Sequence, residues 1–373
     1  MKIPSEYDSI RPYEPEELPE AFERLLADKQ FQSLLAYLYP NVPLEAVGAK
    51  MRQCKSSLEF QKAFCYGFLV DLLDKASKGC DIDCHAIDNS RRYTFVSNHR
   101  DIVLDSALLD KLLIDAGFDT TCEIAIGDNL LSLPWVRDLV RVNKSFIVER
   151  SLPPRQMLLA SRRLADYMHF AIGQKNENLW IAQREGRAKD SDDRTQDSVL
   201  KMLNMGGPTS GRTTADIIEN LRHMNIVPLA ISYEYDPCDY LKAKEFQCKR
   251  DIPGWKKAKQ DDLDNMKTGI WGKKGHVHYQ AADCINTWLD TLDPDTIEKA
   301  DIFRIVAEHI DHEIHKNYRI YDINRDALAG TENAYIEERI KMVDVENPDV
   351  PFLREKLTAM YANPLRNYEK AVG

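Results

Sequence analysis

Short strand-like runs alternate with amphipathic helical segments through the middle of this chain of 373 residues. Alternation of this kind is typical of α/β folds, in which helices cover the faces of a sheet. The sequence therefore predicts an α/β domain with a mixed sheet flanked by helices. The predicted strands lie near residues 92–99, 121–129, 145–150, 178–186, 225–237 and 274–282.

The segments on either side of this alternation have a helical pattern. Apolar residues three and four positions apart indicate helices over roughly the first 90 residues, and charged helical sequence follows residue 285. The prediction has three parts: a helical N-terminal region (1–90), an α/β domain (91–285) and a helical C-terminal region packed on it (286–373).

Composition indicates a chain that works in the cytoplasm. The uncharged apolar stretch from His223 to Tyr233 has 11 residues, and the longest uncharged run, Gln30 to Leu44, has 15, whereas a bilayer-spanning helix needs about 20. The first 20 residues lack the apolar segment of a secretory signal. The eight cysteines form no dense framework, so we expect reduced thiols, no metal site and a cytoplasmic location. Peripheral attachment to the inner face of the cell membrane stays open.

Polar residues directly follow three of the predicted strands. They are Asn98-His99, the Gly127-Asp128-Asn129 run and the segment from Arg184 to Arg187. Open α/β sheets build their sites beyond the carboxyl ends of strands. We therefore expect these residues to meet in one site.

His99 stands at a strand-to-helix junction with two aspartates close behind it, Asp101 and Asp105. A carboxylate bonded to one imidazole nitrogen orients the ring, so that the other nitrogen can take a proton from a hydroxyl group. The chain has no G-x-S-x-G nucleophile motif, which points to a nucleophile supplied by the substrate. The alternative for Asp101 is a cap on the following helix.

At these residues the chain resembles the glycerolipid acyltransferases, the superfamily of glycerol-3-phosphate and 1-acylglycerol-3-phosphate O-acyltransferases. The first family motif, N-H-x-x-x-x-D, is similar to the segment that starts at Asn98. Three further segments are similar to the later family motifs and come in the family order: 127–150, 180–196 and 226–234.

The resemblance implies a fold like that of glycerol-phosphate acyltransferases and an acyl transfer with His99 as the base. It implies an acyl-CoA or acyl-carrier-protein donor as co-substrate, and no other cofactor. The acceptor would be glycerol 3-phosphate, which the Gly127-Asp128-Asn129 start favours, or a lysophospholipid. Possible partners are then an acyl carrier protein and a membrane surface, but no nucleic acid. The residues implied in substrate binding are Asn98, Gly127, Asp128, Asn129, Arg150, Glu185, Gly186, Arg187 and Lys189.

Two spacings depart from the family pattern. The family motif places its aspartate at position 104, which is Leu here, so either Asp105 follows an insertion in the turn or Asp101 orients His99. Because one residue rotates a helical side chain by about 100°, an insertion must be absorbed before the helix begins. We favour Asp105. In the family pattern one more residue separates the glycine from the arginine, whereas here Arg187 follows Gly186 directly. Lys189 or Arg194 could bind the phosphate group in place of Arg187.

Charge is distributed unevenly along the chain. The net charge is −10, yet residues 137–212 contain 14 Lys and Arg against nine Asp and Glu, a balance of +5. A basic segment suits an anionic substrate, and arginine can bind phosphate oxygens in a bidentate manner. We expect phosphate contacts from Arg150 and Arg187, whereas Arg162 and Arg163 fit a solvated helix face.

Other reactions and features stay open at this point. The same base could serve an N-acyltransferase that makes an amino-acid lipid, or a thioester hydrolase that uses water. Trp135 and Leu139 could line an acyl groove or belong to the core. The histidines of two clusters, 276/278 and 309/312/315, are expected to be structural and solvated, respectively.

Overall fold

The computed structural model describes residues 3–373 and contains one sheet of seven strands. The six predicted strand segments all form strands, and a seventh precedes them. The strands are β1 (Gly79–Asp83), β2 (Thr94–Ser97), β3 (Cys122–Gly127), β4 (Ser145–Val148), β5 (Asn178–Ala182), β6 (Ile226–Tyr233) and β7 (His276–Ala281).

The order across the sheet is β1-β7-β6-β2-β5-β3-β4. All neighbours are parallel except β6 and β7, which are antiparallel, so the predicted mixed sheet is confirmed. Every residue of β2 and β6 is buried, because parallel strands at the centre of a sheet are covered on both faces.

Helices surround this sheet and also form both ends of the chain, as predicted. They are α1 (Leu18–Ala27), α2 (Lys29–Leu38), α3 (Leu44–Gln53), α4 (Ser57–Phe60), α5 (Tyr66–Ala76), α6 (Leu104–Asp115), α7 (Pro134–Val142), α8 (Pro154–Phe170), α9 (Asp197–Met205), α10 (Thr214–His223), α11 (Asp239–Asp251), α12 (Lys259–Trp271), α13 (Asn286–Leu289), α14 (Ile302–Lys316), α15 (Asp322–Ala329), α16 (Ala334–Lys341) and α17 (Val350–Val372). Among residues 3–373, no helix has the length and apolar character that crossing a membrane requires.

The core has a cluster on each face of the sheet. On one face α8, α9, α10 and α14 bury residues such as Leu164 and Ile310. On the other face α5 and α6 bury residues such as Leu72 and Leu108. A third cluster joins α1–α4 to α7, and a fourth joins α11 to the C-terminal helices α15–α17.

The sheet starts earlier in the chain than residue 91. β1 lies inside the segment predicted as a helical region and pairs with β7, with Asp81 beside His278. Its sequence, Gly-Cys-Asp-Ile-Asp, has few apolar residues because the strand lies at the sheet edge and none of its residues is fully buried. An edge strand of this kind lacks the apolar run by which the central strands were recognised.

Candidate active site

The carboxyl ends of four parallel strands lie side by side at one edge of the sheet. β2 and β5 are in register, with Ser97 beside Ala182, and β3 and β4 are paired with Gly127 beside Val148. The three polar motifs follow these strands, so their residues lie at the same edge of the sheet. This arrangement is the one expected for a site in an open α/β sheet.

His99 and Asp105 form a direct pair. The Nδ1 atom of His99 lies 2.8 Å from Oδ2 of Asp105. The same carboxylate oxygen accepts the backbone N–H groups of Arg100 at 2.6 Å and Asp101 at 3.0 Å. Asp105 is fully buried on the second residue of α6, where its side chain points back toward the turn. These bonds fix the carboxylate against the imidazole ring.

Asp101 has a different position from Asp105. Its Oδ1 atom accepts the backbone N–H groups of Val103 at 2.9 Å and Leu104 at 2.8 Å, which is the geometry of a helix cap. Its other oxygen lies against Gly269 of α12, where a Cβ atom would come within 1.9 Å of it. Burial and the charge of Asp105 raise the pKa of Asp101. The turn that Asp101 caps absorbs the extra residue of the motif.

Asn98 is used by the fold itself. Its amide nitrogen donates to the carbonyl oxygen of Ile231 and its amide oxygen accepts from the N–H of the same residue, both at 2.8 Å. Asn98 is completely buried. Asn98 thus fastens the end of β2 to β6 through both ends of its amide, and its predicted substrate contact stays a prediction.

The free side of His99 borders a cavity of about 1370 Å³. Its ring stands edge-to-face with Trp180, with the ring centroids 5.7 Å apart, and the indole N–H donates to Ser97 at 3.0 Å. Since Nδ1 bonds Asp105, Nε2 is the ring nitrogen available to a substrate. It makes no hydrogen bond to any residue that the structure describes.

Most of the cavity wall is apolar and comes from several elements. Helices α2, α5, α6, α7, α8 and α12 all contribute to it. Trp135 and Leu139 of α7 line the cavity and also pack against the helices of the N-terminal cluster, so both roles considered for them are present. The cavity is larger than the 300–1,000 Å³ usual for small-molecule pockets, so it has room for a long acyl chain.

Seven Lys and Arg side chains line the same cavity, and four of them follow β4 and β5: Arg150, Arg184, Arg187 and Lys189. Arg187 is almost fully buried; its Nη2 atom donates to Asn265 at 2.9 Å, while Nη1 has no partner among the described residues. Burial and the neighbouring Arg187 lower the pKa of Lys189 to about 8. Cations held this closely favour the binding of an anion.

Glu185 and Gly186 occupy the turn between these cations. Glu185 is exposed, and its carboxylate lies 3.5 Å from Nη1 of Arg150. Gly186 has a φ of +68°, a left-handed conformation that glycine adopts without strain. The turn thus directs the side chains on either side of it toward the cavity, and both residues line it.

The motif after β3 joins two strand ends. Asp128 accepts the backbone N–H of Arg150 at 3.1 Å, so it ties the end of β3 to the end of β4. A Cβ atom on Gly127 would lie 3.2 Å from the Arg150 guanidinium and 2.4 Å from the Asn129 amide oxygen. Glycine therefore lets Arg150 lie close to the strand. Gly127 and Asn129 line the cavity, whereas Asp128 has a positioning contact.

Helix α12 contributes to the cavity wall although its sequence has no clear helical pattern of apolar residues. Its sequence carries lysines and aspartates along most of its length, so the apolar periodicity is weak. Its Asn265 contacts Arg187, and its Met266 and Ile270 line the cavity. Only the fold brings Met266 and Ile270 to the cavity that His99 borders.

The two histidine clusters lie outside the cavity. His276 and His278 both contact Asp81 of the neighbouring β1, a carboxylate partner that is remote in sequence. In the other cluster, the expectation of solvated histidines is wrong for His315, which is buried and bonds the carbonyl oxygen of Asp193 at 3.1 Å. Within the described residues, no group of His, Cys, Asp and Glu side chains is arranged to hold a metal ion.

Part of the chain is similar to a family of known proteins. Residues 81–231 match the sequence profile of the family described as Acyltransferase. Among solved structures, the chain is similar to that of the 1-acyl-sn-glycerophosphate (LPA) acyltransferase PlsC from Thermotoga maritima. The identity is 13%, the TM-score is 0.34, and the match covers 80% of this chain and 95% of the other. No curated protein sequence matches the chain. The matched segment contains His99, Asp105 and the cationic residues from Arg184 to Lys189.

Proposed function

We propose that this acyltransferase moves a fatty acyl group from an acyl thioester to the hydroxyl group of a phosphate-bearing acceptor, with sn-glycerol 3-phosphate as the first candidate. The observation that carries the proposal is the position of His99. Its ring is held by Asp105 on one side and borders, on the other, a cavity that combines an apolar wall with Arg150, Arg184, Arg187 and Lys189.

In the proposed reaction, Nε2 of His99 takes the proton of the acceptor hydroxyl as its oxygen attacks the thioester carbonyl carbon. Asp105 stabilises the imidazolium that forms. The tetrahedral intermediate then collapses, the carbon–sulfur bond breaks, and the thiolate leaves with the proton from His99. The products are an ester and the free thiol of CoA or of an acyl carrier protein.

The oxyanion of that intermediate needs hydrogen-bond donors. The N–H groups of Arg100 and Asp101 are taken by Asp105, and those of Val103 and Leu104 are taken by Asp101. These four groups at the start of α6 therefore serve the pair and the helix cap, so the donors to the oxyanion lie elsewhere in the cavity wall.

The charge around the cavity supports a phosphate-bearing acceptor. Arg187 has one guanidinium nitrogen without a partner among the described residues, and Lys189 lies beside it with a lowered pKa. A phosphate group would supply oxygens to both and relieve their mutual repulsion. A lysophospholipid such as 1-acylglycerol 3-phosphate offers the same phosphate and is the second candidate acceptor.

We further propose that the enzyme works at the cytoplasmic surface of a membrane, where an acylated product belongs. Support comes from the outer face of α8. Leu158 and Leu159 are 65% and 71% exposed there, and the exposed Arg155 and Arg162 lie on the same face. Apolar side chains mixed with arginines suit an interface with anionic lipids. The eight cysteines are free thiols, in keeping with a reducing compartment.

An acceptor panel tests the function. Purified protein is incubated with a labelled acyl-CoA or acyl-carrier-protein donor and with sn-glycerol 3-phosphate, 1-acylglycerol 3-phosphate, an amino acid or no acceptor. We expect label in a phosphate-bearing ester. Label only in an amide would establish the N-acyltransferase, and full-rate release of fatty acid without acceptor would establish the thioester hydrolase; either result contradicts the proposal.

A further inference from the structure

The segment between β5 and α9, residues 183–196, is a long loop with no helix or strand of its own. Its first half places Arg184, Arg187 and Lys189 in the cavity wall. A loop of 14 residues without regular structure is uncommon in a compact domain. Gln196 bonds two residues of the loop itself, Gln183 and Glu185, each at 2.9 Å. The neighbouring elements supply further contacts.

Helix α14 holds the second half of this loop from one side. Oδ1 of Asp311 accepts both the backbone N–H and the hydroxyl group of Thr195, each at 2.7 Å. One turn further along the helix, Nε2 of His315 donates to the carbonyl oxygen of Asp193 at 3.1 Å. Two polar side chains of α14, one helical turn apart, thus bond the backbone of the loop.

Helix α17 holds the same stretch from another side. Asn363 donates to the carbonyl oxygen of Asp190 at 2.8 Å. Asn367, which is almost fully buried, donates to the carboxylate of Asp192 at 3.0 Å and accepts from Arg194 at 2.9 Å. The contacts from α14 and α17 therefore reach every residue from 190 to 195 except Ser191.

The loop is also joined to the residue that follows His99. Nη1 of Arg100 lies 2.7 Å from Oδ2 of Asp193, and both side chains are buried. A buried ion pair is costly to separate because each charge would be left unpaired. The pair links the position of the 183–196 loop to the turn that carries the base.

We infer that α14 and α17 are positioning elements, which hold the 183–196 loop so that its cationic residues face the acceptor. Asp311 and Asn367 are the positioning residues with the most direct contacts. The part concerning the acceptor rests on the proposed function. Both helices lie beyond residue 231, where the family match ends, so this fastening comes from the C-terminal region of the chain.

Hydrogen–deuterium exchange of the full-length protein tests the fastening without reference to activity. In Asp311→Ala we expect faster exchange in peptides that cover residues 184–196, and unchanged exchange in α6. Asp311→Asn keeps an acceptor oxygen for Thr195 and should restore slow exchange. Glu308→Ala, on the exposed face of the same helix, is the matched control. Unchanged exchange in the loop, or equal acceleration throughout the protein, would overturn the inference.

Steady-state kinetics test the consequence for the acceptor. We expect Asp311→Ala and Asn367→Ala to raise the KM for sn-glycerol 3-phosphate about 10-fold, since small displacements of positioned groups have effects of this size or larger. The kcat and the KM for the acyl donor should stay close to wild type. A fall in kcat with an unchanged acceptor KM would overturn the inference. If wild type transferred no acyl group to any phosphate-bearing acceptor, the proposed function would fail, and the exchange result would still decide whether the loop is held as inferred.

Discussion

The two halves of the candidate active site are built in opposite ways. The pair of His99 and Asp105 lies within seven consecutive residues, and the backbone bonds that fix it come from the same turn. The cationic half lies on the 183–196 loop, which depends on Asn265, Asp311 and other side chains remote in sequence. One half is a local structure, whereas the other is assembled by the tertiary fold.

This difference predicts different consequences of mutation. Damage to the local pair should affect the chemical step, because it changes the proposed base and leaves the proposed phosphate-binding residues in place. Damage to the loop should affect acceptor binding, because the base keeps its own support. A separation of kcat effects from KM effects is therefore the signature of this architecture.

The largest effect is expected from Asp105→Asn. An amide cannot stabilise the imidazolium, and it can hold the ring in the wrong tautomer, so kcat should fall about 10²- to 10⁴-fold, the range for loss of general-base catalysis. The KM for the acceptor should change little. Steady-state rates with sn-glycerol 3-phosphate give both constants. A fall in acceptor affinity without loss of kcat would remove the distinction between the two halves.

A smaller effect is expected from Arg187→Ala. Loss of a charged hydrogen bond costs about 1.5–3 kcal/mol, which corresponds to an acceptor KM about 10- to 100-fold higher. Arg187→Lys keeps the charge but loses the planar guanidinium group, so its acceptor KM should lie between those of wild type and Arg187→Ala. The same kinetic measurement applies. An Arg187→Ala enzyme with normal acceptor KM would show that the phosphate binds elsewhere.

The pH dependence of kcat/KM should show whether the charge of Lys189 helps to bind the acceptor phosphate. Its pKa is lowered to about 8 by burial and by Arg187, so the side chain is cationic below that pH and loses its charge as the pH rises. We expect kcat/KM for a phosphate acceptor to fall as the pH rises through about 8. Lys189→Arg stays charged and should lose this fall, while Lys201→Arg on the exposed face of α9 should keep it. An unchanged profile in Lys189→Arg would contradict the assignment.

The smallest effect on catalysis is expected at Asp101. Asp101→Ala removes the cap of α6, a loss of about 0.5–2 kcal/mol in the free energy of unfolding, and kcat should remain close to wild type. Urea unfolding and steady-state rates measure the two quantities. Asp101→Asn keeps a cap acceptor and should recover most of the stability. A loss of kcat as large as that of Asp105→Asn would show that Asp101 also acts on His99.

The local half of the site was largely readable from sequence. The alternation of strands and helices predicts the sheet, and the residues after each strand predict where polar groups meet. The geometry also separates the two aspartates: Asp105 contacts His99, and Asp101 caps the helix. The bonds between the Asn98 amide and Ile231 could not be predicted, because a motif position does not reveal a partner on a distant strand.

The assembled half could be predicted only in part. Basic charge in the 137–212 segment indicates an anionic ligand, but nothing near Arg187 in sequence indicates Asn265 of α12. The contact of Asp311 with Thr195 joins residues 116 positions apart, and β1 has too few apolar residues to be recognised. Such contacts follow from the packing of distant helices, which periodicity along the chain does not encode.

The most direct measurement is acyl transfer by His99→Ala. Wild type and variant are compared with the same acyl thioester and sn-glycerol 3-phosphate, with circular dichroism to show that the variant is folded. We expect ester formation to fall about 10²- to 10⁴-fold, with the acceptor KM close to wild type because the cationic loop is intact. A folded His99→Ala enzyme that transfers the acyl group at the wild-type rate would contradict the assignment of His99 as the base.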